Sequence, residues 1–308
     1  MRAVILSART GWHTDELCRA LGERGHLGVV LPYEGLVGRL GRVEAGLSSA
    51  DVPIFDADVV LARIIPNGSL EQIIFRVDAL HWIEERGVPV VNSPRAIERS
   101  VDKFYTTALL QQAGLPVPET VVCERADDAM DAIRRMLSLG GEVIVKPIFG
   151  SMGHGLVRIG DAELAWRVVR SLEQTRAVFY VQRAIDHGGR DVRLFIVGGR
   201  VLGAIERTAP PGDWRTNVAR GGIARPIDPS SQWQECAIAA SQAVGADYAG
   251  VDLLVSRTGD VYVLEVNGIP GWKGLQGATG LDVAAAIVEQ VETRVAASRE
   301  PMAESVHV

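Results

Sequence analysis

The chemistry-bearing residues gather first in one short hairpin. Ala249–Val255 and Val261–Val266 read as strands, with Arg257-Thr-Gly-Asp260 as the turn between them. Glu265 and Asn267 are two apart in an extended chain, so they share a face. With Ser256 paired to Val261, counting back sets Asp252 opposite Glu265. Like charges about 5 Å apart across a sheet are destabilising unless something neutralises them. A hard divalent cation, which prefers carboxylate and amide oxygens, is the natural remedy, and Mg2+ carried in with a nucleotide's phosphates would use all three residues. The bland alternative is a surface hairpin whose carboxylates face water.

A second group suits phosphate. Lys146 ends the alternating run Val143-Ile-Val-Lys146, Pro147 stops the strand, and three glycines fall within Gly150–Gly155. Glycines let backbone N–H groups close on phosphate oxygens, and a half-buried lysine calls for an anion. A flexible hairpin tip and a snorkelling surface lysine are the competing readings. Arg193, Arg207, Arg215 and Arg220 surround Trp214-Arg-Thr-Asn217 and Gly221-Gly222, a composition that binds oxyanions when it is not simply surface. Lys103 falls just inside a helix start with Ser100 as the expected cap, where backbone donors favour anions.

These residues need elements to hold them. Ala3–Ala8, Gly28–Tyr33, Asp58–Arg63 and Pro89–Asn92 read as strands. Helices fall between them: one capped by Thr14 and ended by Gly25, another over Leu70–Arg86. That alternation predicts a parallel, open, Rossmann-like sheet. After its first strand the chain reads Ser7-Ala-Arg-Thr-Gly-Trp12, without the dinucleotide glycine fingerprint, which argues against a nicotinamide oxidoreductase. Ser93-Pro94 opens a helical region that runs to Gly114. Then come strands at Thr120–Cys123, Glu142–Lys146 and Leu156–Ile159, with a helix over Ala126–Leu139. Beyond Phe179, Asp191–Val197 and Arg200–Thr208 flank the Gly198-Gly199 turn, and helices cover Ser231–Val244 and Leu281–Ala297.

Composition bounds the rest. At 308 residues, 47% hydrophobic and 23% charged, the chain buries a large core and is neither disordered nor fibrous. Its formal charge of −6 gives no support for nucleic-acid binding. Cys18, Cys123 and Cys236 form no disulfide framework or zinc motif, which fits a reducing cytoplasm, and no apolar run approaches a membrane span. There is no HExxH, GxSxG or Walker lysine.

Taken in order, the motifs carry a resemblance. They are Lys103, Val-Lys146-Pro with its glycine loop, Tyr-Val-Gln182, Arg-Asp191-Val-Arg193 and Ile-Glu206-Arg207. Gly-Asp-Trp-Arg215-Thr-Asn217-Val-Ala-Arg220, Ala-Gly-Val-Asp252 and Leu-Glu265-Val-Asn267 complete the set. It resembles the ATP-grasp ligases of the RimK type over nearly the whole chain. The resemblance implies a fold of mixed α/β and α+β class, with a Rossmann-like domain (1–93) before the N-terminal (94–178) and C-terminal (179–300) lobes of an ATP-grasp fold.

By that resemblance, Lys103, Lys146 and the loop residues Gly150, Ser151 and Gly153 would contact phosphates. Gln182, Arg183 and Ala184 would form the adenine hinge, where the family commonly has glutamate in place of Arg183. Asp191 would stand near the ribose, and Arg215, Thr216 and Asn217 would line the phosphate side. Asp252, Glu265 and Asn267 would hold Mg2+ or Mn2+, and Arg193, Arg207 and Arg220 would stabilise reaction charge.

The implied reaction is ATP-dependent: a carboxylate becomes an acyl phosphate and an amine displaces phosphate. The expected substrates are L-glutamate and a small-molecule carboxylate of pterin type, because Asn267-Gly-Ile-Pro-Gly-Trp-Lys-Gly274 is closer to the pterin ligases. A ribosomal-protein or carrier-protein C-terminus is the alternative acceptor, and a non-catalytic ATP-binding scaffold is the alternative of another class. The enzyme is expected to be cytoplasmic and homo-oligomeric, without nucleic-acid or membrane partners.

Overall fold

The structure is a computed structural model, and it describes residues 1–41, 45–150, 153–216 and 221–299. Its N-terminal part is built on a four-stranded parallel sheet. Strands β1 (Arg2–Ser7) and β2 (Leu27–Pro32) are joined by helix α1 (Trp12–Glu23). A small antiparallel sheet follows, made of β3 (Leu36–Arg39), β4 (Gly46–Ser49) and β5 (Val52–Pro53). Then β6 (Val59–Ala62), α2 (Leu70–Glu85) and β7 (Val90–Val91) complete the parallel sheet in the order β2-β1-β6-β7. Strands β1, β6 and β7 are buried on both faces, which is why they read as continuous apolar runs, whereas the edge strand β2 is partly exposed. Helix α2 starts on a capping box between Ser69 and Gln72. Helix α1 starts at Gly11, with Thr14 bonding back from inside the first turn rather than standing as the cap itself.

The helical region after Pro94 is two helices, not one. Helix α3 (Pro94–Val101) and helix α4 (Lys103–Gln112) meet at Asp102, whose side chain accepts from the Tyr105 N–H. Asp102, rather than Ser100, therefore caps the helix that carries Lys103. A second sheet comprises β8 (Thr120–Cys123), β9 (Val143–Lys146), β10 (Val157–Ile159) and β11 (Phe179–Arg183), in the order β10-β9-β11-β8. One face of it packs on α5 (Ala126–Ser138) and α6 (Ala162–Gln174). The opposite face carries Lys146, Tyr180 and Gln182.

The third sheet, in the order β14-β13-β12-β15-β16, is antiparallel. It is formed by β12 (Arg190–Val197), β13 (Arg200–Thr208), β14 (Ile223–Pro226), β15 (Tyr248–Val255) and β16 (Val261–Asn267), and α7 (Ser231–Val244) covers one face. After β16 come α8 (Lys273–Thr279) and α9 (Val283–Arg299), and α9 packs with α1 and Trp272 in a core shared with the parallel sheet. Among the described residues no helix is long and apolar enough to cross a membrane.

Two buried polar side chains at the ends of parallel strands reach across to the third sheet. Asn92 follows β7 and is fully buried. Its amide donates to the carbonyls of Tyr248 and Gly268 (2.8 and 2.5 Å) and accepts from the N–H groups of Asp247 and Tyr248 (2.6 and 3.1 Å). Arg63 follows β6 and donates to the Tyr248 hydroxyl and the Pro270 carbonyl at 3.1 and 3.0 Å. The segment just beyond Asn267 is thus fixed from both sides. Asn92→Ala would leave buried backbone groups unpaired, and each costs about 1–3 kcal/mol before relaxation. The variant should lose roughly 2–4 kcal/mol of stability, read as a lower urea midpoint; an unchanged midpoint would show that the clamp contributes nothing.

Candidate functional site

The hairpin β15–β16 pairs Asp252 with Glu265 as the sequence requires, but by another route. Val255 pairs with Val261, so the tip holds five residues rather than four. The slip is undone by a bulge that leaves Leu264 unpaired between the Leu253–Val263 and Asp252–Glu265 pairs. The extra residue re-aims the strand. Without it Glu265 would point toward the apolar side that Val263 and Val266 occupy.

Neighbouring strands then set a charged face in register. Arg193 lies opposite Asp252, and Asp191, two residues earlier on β12, lies opposite Arg207 on β13. The Arg193 guanidinium grips both Asp252 oxygens at 2.6 Å. Arg207 grips both Asp191 oxygens at 2.7 and 2.6 Å and also reaches Asp252 at 2.9 Å. Thr216 donates its hydroxyl to Asp191 at 2.5 Å. Burial pushes the Asp252 pKa up, but the charges of Arg193 and Arg207 outweigh it and hold the carboxyl well below the usual range.

This changes three expectations. Asp252 is neutralised by two arginines and needs no cation for its charge. Asp191 is a buried partner of Arg207 and Thr216 rather than a group open to a ribose hydroxyl. Arg207 is only 4% exposed and holds the sheet together, so any effect on reaction charge must pass through Asp252 and Arg193.

What remains on the open side is Glu265, 36% exposed, with Arg193 at 3.8 Å. Asn267 donates to it at 3.1 Å. The amide's oxygen and nitrogen are placed by hydrogen bonding, so a rotation would offer the oxygen instead. Among the described residues no group of three or more His, Cys, Asp or Glu side chains forms a ready metal site. Glu265 and Asn267 with the residual lone pairs of Asp252 nevertheless suit Mg2+, a cation that keeps several waters and takes phosphate oxygens as further ligands.

The lysines belong to the second sheet. Lys146 is buried and donates to Gln182 Oε1 at 2.6 Å, 5.9 Å from the centre of the Tyr180 ring. Gln182 in turn donates to the hydroxyls of Thr120 and Tyr180 at 2.9 and 3.2 Å. Its side chain is therefore spent on orienting Lys146. Burial pushes the Lys146 pKa down to about 8, against the pull of the Glu265 charge. Lys103 is lowered for the same reason and again feels Glu265. Its ammonium donates to the Ile148 and Gly150 carbonyls at 3.3 and 2.7 Å, which ties it to the root of the glycine loop.

The remaining expected residues are distributed as follows. Gly153 has a left-handed φ of 71°, and its carbonyl accepts from Arg215 at 3.4 Å, linking the loop to the segment before β14. Arg215 is also paired with Asp213, at 2.9 Å from Nη2. At the expected hinge, the N–H groups of Arg183 and Ala184 are taken by the carbonyls of Glu119 and Glu142, both at 2.8 Å. They are not free to read an adenine edge. Ser151, Asn217 and Arg220 lie outside the described residues. Thr120, Tyr180, Asp213, Asn92 and Arg63 were not singled out from sequence. Their partners lie far along the chain, except that Tyr180 also accepts from Gln182 two residues on and that the spacing of Asp213 to Arg215 was a usable signal.

Comparison with known proteins bears on the family. Residues 100–291 match the family described as RimK-like ATP-grasp domain. The tetrahydromethanopterin:alpha-L-glutamate ligase of Methanosarcina acetivorans is 31% identical, covering 91% of this chain and 95% of its own. A probable alpha-L-glutamate ligase of Xanthomonas euvesicatoria is 35% identical over 96% of this chain and 98% of its own. Among solved structures, the ATP-grasp ligase PsnB complexed with minimal precursor, Mg and ADP aligns with a TM-score of 0.74 at 22% identity, covering 95% of this chain and 97% of that one. The D-cycloserine synthetase DcsG aligns at 0.73 and 19%, covering 96% and 100%. The two structures share the ATP-grasp fold with this chain. From the matched domain, the near full-length relatives and a site of lysines facing carboxylates, it follows that the chain belongs to the RimK-like ATP-grasp family and is an ATP-dependent ligase.

Proposed function

We propose that this ligase joins the amine of L-glutamate to the carboxylate of a small, pterin-type molecule through an acyl phosphate, releasing ADP. The observation that carries the ATP chemistry is the position of Glu265: its charge acts on both Lys146 and Lys103 while Asp252 beside it is already neutralised. Glutamate and a pterin acceptor are supported by the names of the relatives, among them two tetrahydromethanopterin:alpha-L-glutamate ligases. The unit spanning 1–93 would be a Rossmann-like domain preceding the ATP-grasp fold, with 94–178 and 179–300 as its two lobes. A reducing cytoplasm suits the three free cysteines.

In this reading Lys146 and Lys103 bind phosphate oxygens, and the glycine loop around Gly150 and Gly153 closes over them. Gln182 holds the Lys146 ammonium in line. Glu265 and Asn267, with Asp252 behind them, would hold Mg2+, with Mn2+ as a substitute. When bound, the cation would neutralise charge on the transferring phosphoryl group. A carboxylate oxygen of the acceptor attacks the γ-phosphorus and ADP leaves. The amine then attacks the acyl carbon and phosphate leaves, its proton lost to solvent or to the departing phosphate. Arg193 would meet charge on that tetrahedral centre. Arg215, Thr216, Asn217 and Arg220 would complete the phosphate side.

The direct test is product analysis with ATP and Mg2+, using L-glutamate against other amino acids and a pterin carboxylate against a peptide. ADP and phosphate appearing only with glutamate and the pterin are expected. AMP as product would overturn the reading, and turnover only with the peptide would move it to a protein C-terminus. Glu265→Gln should lower turnover by at least 100-fold with the fold intact, as loss of a group that supports developing charge does; near-normal turnover would remove Glu265 from the site.

The pH dependence of nucleotide binding tests Lys146. Phosphate contact needs the ammonium, which is present below about pH 8 and lost above it in the free protein. ADP affinity should therefore fall as pH rises above 8, with proton uptake on binding near pH 8.5 detected by calorimetry in buffers of different ionisation enthalpy. Lys146→Met should weaken binding and reduce the proton uptake. Wild-type binding without proton exchange would contradict the assignment.

A further inference from the structure

Strand order in the parallel sheet reverses at β1: β2 lies on one side of it and β6 on the other. Open parallel sheets bind ligands in the crevice outside the carboxyl ends of such strands. Arg63 follows β6, His13 lies in the first turn of α1 after β1, and Trp272 and Lys273 come from the segment after β16. Arg63 is 2% exposed. Its hydrogen-bond partners here are a tyrosine hydroxyl and a peptide carbonyl, and its guanidinium lies 4.7 Å from the centre of the Trp272 ring. Among the described residues no carboxylate pairs with it. Burying a charge without a counter-charge is costly.

Lys273 adds to the same sign at His13, while Asp15 brings a carboxylate to the first turn of α1. The His13 ring is 4.6 Å from Trp272, and its Nε2 accepts the Trp272 backbone N–H at 3.2 Å, which leaves Nδ1 as a donor. Lys273 Nζ lies 5.8 Å from the Trp12 ring on the first turn of α1. The Trp272 indole N–H is buried and donates to nothing among the described residues. Burial, then the charges of Arg63 and Lys273, push the His13 pKa down to about 4, as a positive field would.

We propose that Arg63, His13 and Lys273, beside the N-terminus of α1, hold a carboxylate of the amine donor that does not react. This rests on the ligase reading above. The acceptor's carboxylate is consumed at the lysines, whereas those of an acidic amino acid keep their charge throughout and need a permanent counter-charge, which arginine supplies. The segment from Gly268 to Lys273 links these residues to Asn267, so the donor's anion would be fixed next to the reacting end.

The test is equilibrium binding to the MgADP-loaded protein, followed by tryptophan fluorescence and calorimetry, so it needs no turnover. L-glutamate and the amine-free dicarboxylate glutarate should both bind. L-glutamine, with only the α-carboxylate free, and isoglutamine, with only the side-chain carboxylate free, identify which anion is held. Lys273→Gln and His13→Gln should each weaken glutamate binding at least tenfold and leave MgADP affinity unchanged. Arg63→Met should weaken it further, and circular dichroism would check that this variant folds. Binding unaltered in the Lys273 and His13 variants, or no binding of any of the four compounds by the wild type, would overturn the proposal. Absence of turnover alongside carboxylate binding that those variants lose would instead count against the ligase reading alone.

Discussion

The site depends on a carboxylate buried where carboxylates are least stable. Asp252 lies 2% exposed in the middle of the third sheet and is held ionised by Arg193 and Arg207, the latter itself gripped by Asp191. Such a network repays its desolvation only when every member is satisfied. Here the guanidinium forks meet the carboxylates two oxygens at a time, and Thr216 takes up remaining acceptor capacity. The consequence is directional. With Asp252 neutralised from inside the sheet, Glu265 is left as the carboxylate turned toward the lysines, and that asymmetry distinguishes a structural acid from one available to a ligand.

The lysine side follows the same logic in reverse. Lys146 is buried without a carboxylate partner among the described residues, and its charge is steadied by the Gln182 oxygen and the distant pull of Glu265. Gln182 can do this because Thr120 and Tyr180 fix its amide, and Tyr180 is anchored by Thr107 at 2.8 Å. The chain thus stores a cation and an anion that face each other without touching, a state that a polyphosphate with its cation would complete. The N-terminal sheet contributes by position: Asn92 and Arg63 reach from the ends of β7 and β6 to the carbonyls of Gly268 and Pro270, directly after Asn267.

Sequence made much of this legible because local patterns govern it. The alternation through Val143–Lys146 and the Gly198-Gly199 turn each act within a few residues and lie where they were expected. The Asp252–Glu265 pairing was also legible, though the counting behind it missed a longer tip and a compensating bulge whose effects cancel. What could not be read was long-range partnership. Arg207 and Asp191 look like active-site groups in sequence because arginines and carboxylates carry the same letters whether they bind ligand or each other. Their burial depends on a register set by β12, β13 and β15 together. The sheet β3–β5, strand β14 and helices α6 and α8 were also missed. The strands among them are short.

The most direct test of the account is the fate of oxygen in the acceptor. If the carboxylate is activated by the γ-phosphoryl group between the lysines and Glu265, oxygen-18 placed in that carboxylate must leave with phosphate when the amide forms. Mass spectrometry or phosphorus NMR should find one labelled oxygen in each inorganic phosphate released and none in ADP. Label recovered in AMP, or phosphate released without label while amide accumulates, would contradict it.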